Sequence, residues 1–230
     1  MILAGLQKLS LVDYPGHICA VVFTQGCNFH CAYCHNRDLV TRERKFECDE
    51  NEVMEFLAAR RKMLEAVVLS GGEPTLQKDL AEYMLRIKAL GYKTKLDTNA
   101  SNPKALENLI QNKAVDYIAV DIKTAFEKYG IVAGMMNVAG HIKESLRVIR
   151  ESGIPYELRT TCVPGVVDTE DFEHIGKNLV MSDKYYLQQF RAVNTFDPKY
   201  ADVKPYSKEK FEEFKQTLSK YTAQVETRGV

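Results

Sequence analysis

Short apolar runs and longer amphipathic stretches alternate along most of the chain. The run Ile-Cys-Ala-Val-Val-Phe-Thr at 18–24 is continuous, which is typical of a strand buried in a parallel sheet. Runs of this kind predict six strands, at 18–24, 66–69, 92–96, 115–120, 156–162 and 185–189. Helical spacing predicts helices at 50–64, 76–90, 141–152, 170–178 and 208–221, and one more that begins at Pro103.

Residues at the expected helix ends support this division. Asp49 can cap the first helix, and Pro103 suits the first turn of a helix because its fixed backbone angle is already helical. Gly91 and Gly153 stand directly after apolar periodic stretches, where the left-handed C′ position favours glycine. The alternation therefore has defined breaks rather than one long periodic stretch.

Strands that alternate with helices predict an α/β fold with a parallel sheet and right-handed crossovers. Curled, six such units form a partial (β/α)6 barrel, and we expect one domain over 1–230. In such folds the chemistry gathers at the carboxyl ends of the strands. Polar clusters follow or end the predicted strands here, at 27–36, 70–74, 97–99, 121–123 and 159–161.

Composition narrows the range of partners. The chain has 230 residues, with 31 Lys plus Arg against 31 Asp plus Glu, so no net field favours nucleic acid or a membrane. Basic residues at 42–45 and 60–62 are expected on solvated helix faces. No membrane span or signal peptide is predicted, which favours the cytoplasm, where the six cysteines stay reduced.

Three of these cysteines, Cys27, Cys31 and Cys34, fall on one predicted loop. Three thiolates can hold three corners of a [4Fe-4S] cluster, which leaves the fourth iron without a protein ligand and open to chemistry. Two alternatives use the same residues. A zinc site could include His30 or His35, and Cys31 with Cys34 could form a thioredoxin-like dithiol.

The cysteine spacing, with aromatic Tyr33 before the last cysteine, resembles the cluster motif of radical S-adenosylmethionine (radical SAM) enzymes. The segment Ser-Gly-Gly-Glu-Pro at 70–74 resembles the GGEP motif of the same superfamily. The resemblance implies that S-adenosylmethionine binds the open iron and is cleaved by one-electron reduction. The 5′-deoxyadenosyl radical that results would take a hydrogen atom from a substrate.

Three further segments, at 13–16, 23–27 and 33–38, resemble the activating enzymes of glycyl radical enzymes. The resemblance is strongest to activating proteins of anaerobic ribonucleoside-triphosphate reductases, and the activases of pyruvate formate-lyases are very similar. It implies abstraction of an α-hydrogen from one glycine of a partner enzyme, with a flavodoxin- or ferredoxin-type electron donor. The partner's glycine loop is expected near 13–16.

The resemblance, together with position at the strand ends, assigns the candidate site. Cluster ligands are Cys27, Cys31 and Cys34. Expected cofactor contacts are Tyr33, His35, Asn36, Gly71, Gly72, Glu73, Asp97, Asn99, Lys123 and Thr161. Carboxylates as close as Asp97 and Asp121 need a proton or a cation between them, and a monovalent cation is implied there. No side chain is expected to act as general acid or base.

Two other functions fit parts of the pattern. A radical SAM enzyme could act on a small molecule such as a deazapurine precursor, since a compact barrel suits that substrate too. A zinc-stabilised binding module would use the cysteines only for structure. The colour and iron content of anaerobically purified protein separate the zinc module from the two enzymes.

Overall fold

Eight strands form one sheet in the computed structural model, which describes residues 1–40, 48–178 and 184–230. Within those residues the strands lie side by side in chain order. The first pair is antiparallel and every later pair is parallel. The first and last strands form the two edges, so the sheet is an unclosed, partial barrel.

The strands are β1 Leu3–Ser10, β2 Cys19–Thr24, β3 Ala66–Gly71, β4 Lys93–Thr98, β5 Tyr117–Asp121, β6 Tyr156–Cys162, β7 Lys184–Gln189 and β8 Gln224–Arg228. The helices in the described residues are α1 Arg37–Val40, α2 Glu50–Arg60, α3 Leu80–Ala89, α4 Pro103–Gln111, α5 Tyr129–Val132, α6 Val138–Ser152, α7 Thr169–Asn178 and α8 Lys208–Leu218. None of these described helices has the length and apolar character needed to cross a bilayer.

The six predicted strands are confirmed as β2 to β7, and the α/β partial barrel with them. The edge strands β1 and β8 were not predicted. β1 alternates only weakly and is interrupted by register shifts, and β8 reads Gln-Val-Glu-Thr-Arg with one buried residue. Both depend on pairing with a neighbour that the local sequence does not reveal.

The predicted helices are also present, with some ends shifted. The helix expected at 76–90 begins only at Leu80, because Pro74–Leu76 forms a 3₁₀ turn that the Glu73 side chain caps. Asp49 caps α2 as expected, by accepting hydrogen bonds from two backbone amides. Residues 60–62 are exposed at the end of α2, whereas the basic positions 42–45 lie outside the described residues.

The two faces of the sheet differ in chemistry. Apolar strand residues such as Val67 and Ile118 pack against the helices on the outer face and form the main core. The inner face carries a small apolar group around Tyr14, Cys19 and Val68. Between these groups and the carboxyl ends of the strands, the inner face is polar.

One polar group on the inner face, here called the lower cluster, consists of Tyr117, Glu157, Tyr186 and Arg228. Arg228 donates two hydrogen bonds to the buried Glu157 carboxylate, at 3.1 and 3.2 Å. The Tyr117 hydroxyl donates a third, at 3.0 Å. The Arg228 guanidinium lies 3.4 Å from the centre of the Tyr186 ring. The lower cluster thus ties β8 to β5, β6 and β7.

Candidate active site

The three predicted cluster cysteines lie on the loop that leaves the carboxyl end of β2. Cys31 is buried, Cys27 and Cys34 are partly exposed, and all three are free thiols. Burial raises the pKa of Cys27 to about 12 and that of Cys31 to about 11. Burial thus makes both thiols harder to deprotonate than exposed cysteines, and a metal ion bound to them would offset that cost.

Backbone hydrogen bonds from two other segments hold this loop. The amide of His30 donates to the carbonyl of Ala133, at 2.9 Å, and the amide of Phe196 donates to the carbonyl of Cys34, at 3.0 Å. The loop residues in these two hydrogen bonds, His30 and Cys34, lie on either side of Cys31 in the sequence. The positions of the cysteines are thus set by the surrounding fold rather than by the loop alone.

The Gly71–Gly72 turn packs directly against the start of the cysteine loop. A Cβ atom at Gly72 would lie 2.1 Å from the carbonyl oxygen of Gly26, and one at Gly71 would lie 2.4 Å from the amide nitrogen of Thr24. Gly71 also has a φ of 115°, which favours glycine. The missing side chains make room for the neighbouring backbone, a reason that the sequence interpretation did not foresee.

Glu73 joins this turn to the end of β4. Its buried carboxylate accepts hydrogen bonds from the Thr75 hydroxyl at 2.6 Å, the Thr98 hydroxyl at 2.7 Å and the backbone N–H of Asn99 at 2.7 Å. Burial raises the pKa of Glu73. Donors within the protein therefore already occupy this carboxyl group. Through them it holds the turn after β3 against the turn after β4 at the edge of the site.

Five charged side chains form a chain of ion pairs, here called the charge ladder, in the order Lys95, Asp97, Arg159, Asp121, Lys123. Arg159 joins the two carboxylates, at 3.3 Å from Asp97 and 2.6 Å from Asp121. Lys123 lies 3.0 Å from Asp121, and Lys95 donates to Asp97. Three cations against two carboxylates leave the ladder with one positive charge in excess.

The ladder keeps both carboxylates ionised. Burial alone would raise the pKa of Asp97, but the positive charges of Arg159 and Lys95 outweigh it and hold the pKa below its usual value. Burial acts on Asp121 in the same way, and there Arg159 and Lys123 again lower the pKa. Both carboxylates of the ladder are therefore ionised at neutral pH.

The expected monovalent cation does not fit between the carboxylates in this structure. The guanidinium of Arg159 stands there instead, and Asp97 also accepts from Lys95 and from the Ser70 hydroxyl, at 3.1 Å. In the described parts of the chain, no group of three or more His, Cys, Asp or Glu residues converges on a single metal ion. Side chains supply the charge for which the sequence interpretation invoked an ion.

A cavity of about 210 Å³ opens where these elements meet. Its walls come from the cysteine loop and from the carboxyl ends of β3, β4, β5 and β6. The lining residues are Cys27, Phe29, Cys31, Tyr33, Cys34, Asn36, Ser70, Gly71, Gly72, Glu73, Asp97, Thr98, Asn99, Asp121, Lys123 and Arg159. The structure therefore brings together all three cysteines and eight of the ten predicted cofactor contacts.

The other two predicted contacts lie outside this lining. His35 is exposed and packs edge-on against Phe190, at 5.5 Å between ring centres, beside a separate shallow hollow. Thr161 lies two residues beyond Arg159 on β6. The loop at 13–16 precedes β2 and lies at the amino ends of the strands, where Tyr14 packs against Tyr117, away from the cavity.

Four lining residues were neither among the expected cofactor contacts nor in the expected cation pair: Phe29, Ser70, Thr98 and Arg159. The last three do fall in the polar clusters predicted at 70–74, 97–99 and 159–161. Arg159 pairs in register with Asp121 across β5 and β6, so the alternation of strand side chains could have placed it on the inner face. Ser70 is the last residue but one of β3 and Thr98 is the last residue of β4, and each adjoins an expected cofactor contact. Phe29 gives no signal in the sequence beyond its position between two of the cysteines.

The residues present fit a three-cysteine cluster with a polar ligand beside it. The donor set is three thiols at the cavity wall, and the adjacent ladder has excess positive charge. The buried hydroxyl of Tyr33, beside the Cys31 thiol, has no nitrogen or oxygen partner in the described residues. A zinc site fits less well because its ligands must converge on one ion, whereas each cysteine of a cubic cluster binds a different iron.

Comparison with known proteins agrees with this site. Residues 21–178 match the Radical SAM superfamily. A Methanocaldococcus jannaschii protein named as a glycyl-radical enzyme activating enzyme is 35% identical over 237 residues, which cover 100% of this chain and 96% of that protein. The pyruvate formate-lyase-activating enzyme of Staphylococcus aureus is 33% identical over 181 residues, which cover 74% of this chain and 71% of that enzyme.

A solved structure shows the same fold. SuiB of Streptococcus suis, bound to S-adenosylmethionine, superposes with a TM-score of 0.69 at 17% identity, over 89% of this chain. The chain spans 48% of the length of SuiB. The matched family and the full-length relative, taken with the cysteine loop and the cavity, show that the chain belongs to the radical SAM superfamily and, within it, to the glycyl-radical enzyme activating enzymes.

Proposed function

We propose that this activating enzyme installs a glycyl radical on an anaerobic ribonucleoside-triphosphate reductase. The observation that supports the radical chemistry is a single cavity lined by three cysteines, by the Gly71–Gly72 turn and by four of the five residues of the charge ladder. The choice of partner rests on the resemblance of the segments at 13–16, 23–27 and 33–38 to activating proteins of that reductase. The protein would work in the cytoplasm, with a flavodoxin- or ferredoxin-type electron donor.

Cys27, Cys31 and Cys34 would hold a [4Fe-4S] cluster, and S-adenosylmethionine would occupy the cavity beside it. When bound, this pair supplies an adenosyl radical able to abstract hydrogen from a glycine α-carbon. The excess positive charge of the ladder, at Lys123 and Arg159, would receive the carboxylate of the methionine moiety. These residues bind and orient, and none needs to transfer a proton.

The remaining lining residues would shape and close the site. Gly71 and Gly72 present backbone at the wall, and Glu73 holds the Asn99 amide in place. Tyr33 and Asn36 would border the cofactor on the side of the cysteine loop. His35 and Thr161, which lie outside the lining, would support neighbouring residues rather than bind the cofactor.

Anaerobic electron paramagnetic resonance tests the proposal directly. The reconstituted protein, a reductant and S-adenosylmethionine would be incubated with the candidate reductase. A glycine-centred doublet in the reductase, lost when its radical-bearing glycine is replaced by alanine, is the expected result. Cleavage of S-adenosylmethionine without this doublet would refute the partner while leaving the radical chemistry intact.

Pyruvate formate-lyase is the second candidate partner, because an activase of that enzyme is 33% identical to this chain. Against it, the end of the last predicted strand, at 187–190, lacks the histidine that such activases carry there. The same experiment with formate-lyase in place of the reductase distinguishes the two. A doublet only in formate-lyase would favour formate-lyase as the partner. Turnover of a small molecule, with no doublet in either protein, would favour a radical SAM enzyme that acts on a small-molecule substrate.

A further inference from the structure

Lys95 is the least expected member of the charge ladder. Its side chain is 1% exposed, although lysine is almost never fully buried without a partner. It lies on β4 two residues before Asp97, so both side chains point to the inner face of the sheet. Its ammonium group donates to Oδ1 of Asp97.

The other oxygen of Asp97 is also occupied. Oδ2 accepts from the Ser70 hydroxyl at 3.1 Å and lies 3.3 Å from the guanidinium of Arg159. Both oxygens that a bound alkali-metal ion would coordinate are therefore already in contact with side-chain donors. The carboxylate of Asp121 is likewise shared between Arg159 and Lys123.

We propose that Lys95 is a tethered cation that takes the place of a monovalent metal ion at Asp97. An ammonium group carries the same single charge as potassium and, like it, is satisfied by oxygen atoms. Lys95 therefore neutralises Asp97 whatever the salt composition of the medium. Folding stability and S-adenosylmethionine binding should then be independent of sodium and potassium, and the second of these expectations rests on the proposed function.

The first test uses the unmodified protein. S-adenosylmethionine binding to the anaerobically reconstituted holoprotein would be measured in sodium, potassium and tetramethylammonium chloride at equal ionic strength. The tetramethylammonium ion is too large to replace a coordinated metal ion. We expect the three dissociation constants to agree within about twofold. Binding that requires sodium or potassium would overturn the proposal, whatever any variant does.

The second test removes the tethered charge with Lys95→Met. Methionine keeps most of the apolar stem but ends one atom short, which vacates the place of the ammonium group beside Asp97. The variant should acquire a requirement for an added cation, because Oδ1 of Asp97 loses its donor while Arg159 stays shared with Asp121. We expect its S-adenosylmethionine affinity to be at least about tenfold weaker in tetramethylammonium chloride than in potassium chloride.

Melting temperature gives a readout that needs neither cluster nor S-adenosylmethionine. Potassium bound at the vacated position should raise the melting temperature of Lys95→Met above its value in tetramethylammonium chloride, whereas the unmodified protein should melt alike in both. This result stands even if the holoprotein binds no S-adenosylmethionine, a failure that would count against the proposed function alone.

Lys93→Met is the matched control, because it removes the same charge from an exposed position on the same strand. It should show no dependence on the cation. If Lys95→Met does not fold, Lys95→Gln replaces it, since an amide can still donate to Asp97. If neither folds, the salt series of the unmodified protein decides. A neutral variant at 95 that folds and responds equally to all three salts would show that Lys95 only fills the core.

Discussion

The charge ladder and the lower cluster lie on the same inner face, yet they balance charge differently. Glu157 and Arg159 are two residues apart on β6, one in each group. The lower cluster pairs one carboxylate with one guanidinium, and Tyr117 completes the hydrogen bonds. The ladder has three cations for two carboxylates and borders the cavity.

The difference separates a structural role from a binding role. A buried ion pair of equal charges has nothing left to offer a ligand, and its partners depend on each other for stability. A buried array with one charge in excess stays incompletely compensated until an anion arrives. Arg159 and Arg228, although the same residue type on one face of the sheet, should therefore respond to substitution in different ways.

The largest effect should come from substituting a cysteine of the cavity, compared with the same substitution of a cysteine on the apolar part of the inner face. Cys31→Ala should abolish cluster assembly and S-adenosylmethionine cleavage while the protein stays folded, because a cluster corner loses its ligand. Cys19→Ala, in the apolar group on the lower inner face, should keep both. Iron content and 5′-deoxyadenosine formation measure the outcome. Cleavage by a reconstituted Cys31→Ala protein would contradict the assignment.

Substituting Arg159 and Arg228 one at a time tests whether the charge ladder serves binding and the lower cluster serves stability. Arg159→Met should lower kcat/KM for S-adenosylmethionine cleavage by about 100-fold, since truncating one partner of a buried charge pair costs about 3 kcal/mol. Its stability should fall less, because Lys95 and Lys123 still compensate the two aspartates.

Arg228→Met should show the reverse pattern. It leaves the buried Glu157 without its guanidinium, so the free energy of unfolding should fall by about 3 kcal/mol. Cleavage measured well below the melting temperature should stay within about threefold of the unmodified rate. Equal losses of activity and stability in both arginine variants would show that the charge ladder and the lower cluster have the same role.

The pH dependence of stability sharpens the role of Asp97. Its folded pKa lies below the unfolded value of 3.8, so its contribution is complete above pH 3.8 and is lost as the pH falls through the folded pKa. The unmodified protein should therefore exceed Asp97→Asn in unfolding free energy by a constant amount near neutral pH. Urea unfolding at a series of pH values should show this gap closing only below pH 3.8.

The smallest expected effect is in the lower cluster. Tyr117→Phe removes one hydrogen bond to Glu157 and should cost about 1–2 kcal/mol of stability with no change in S-adenosylmethionine affinity. Combined with Arg228→Met, its cost should be less than additive, because both residues bind the same carboxylate. Thermal unfolding of the two single variants and the double variant checks this; strict additivity would show that Tyr117 and Arg228 act independently.

Most of the scaffold was predictable because its central strands are continuous apolar runs that can be recognised in the sequence. The runs that became β2 to β7 are buried on both faces over much of their length. The edge strands β1 and β8 were missed, because each gains its order from a single neighbour. The helices α1 and α5 have four residues each, too few to show a helical period.

Within the site, chain order predicted which segments meet, but not which charges pair. The cysteine loop, the Gly71–Gly72 turn and the ends of β4 and β5 were expected together because parallel strands end on one edge. The sequence predicts an exposed Lys95, because a lysine in a short strand normally faces solvent, whereas the structure buries it. Its burial follows from Asp97, and the pairing of Asp97 with Arg159 joins residues 62 positions apart in the sequence.

The contact between Gly72 and Gly26 has a consequence for how the site forms. Backbone atoms of the two segments already touch, and the amide of Glu73 donates to the carbonyl of Gly26 at 2.8 Å. The mutual orientation of both motifs is therefore preorganised by folding. Little conformational entropy remains to be lost when a ligand enters between them. Binding energy can instead go into distorting or aligning the ligand, which is where an enzyme gains rate.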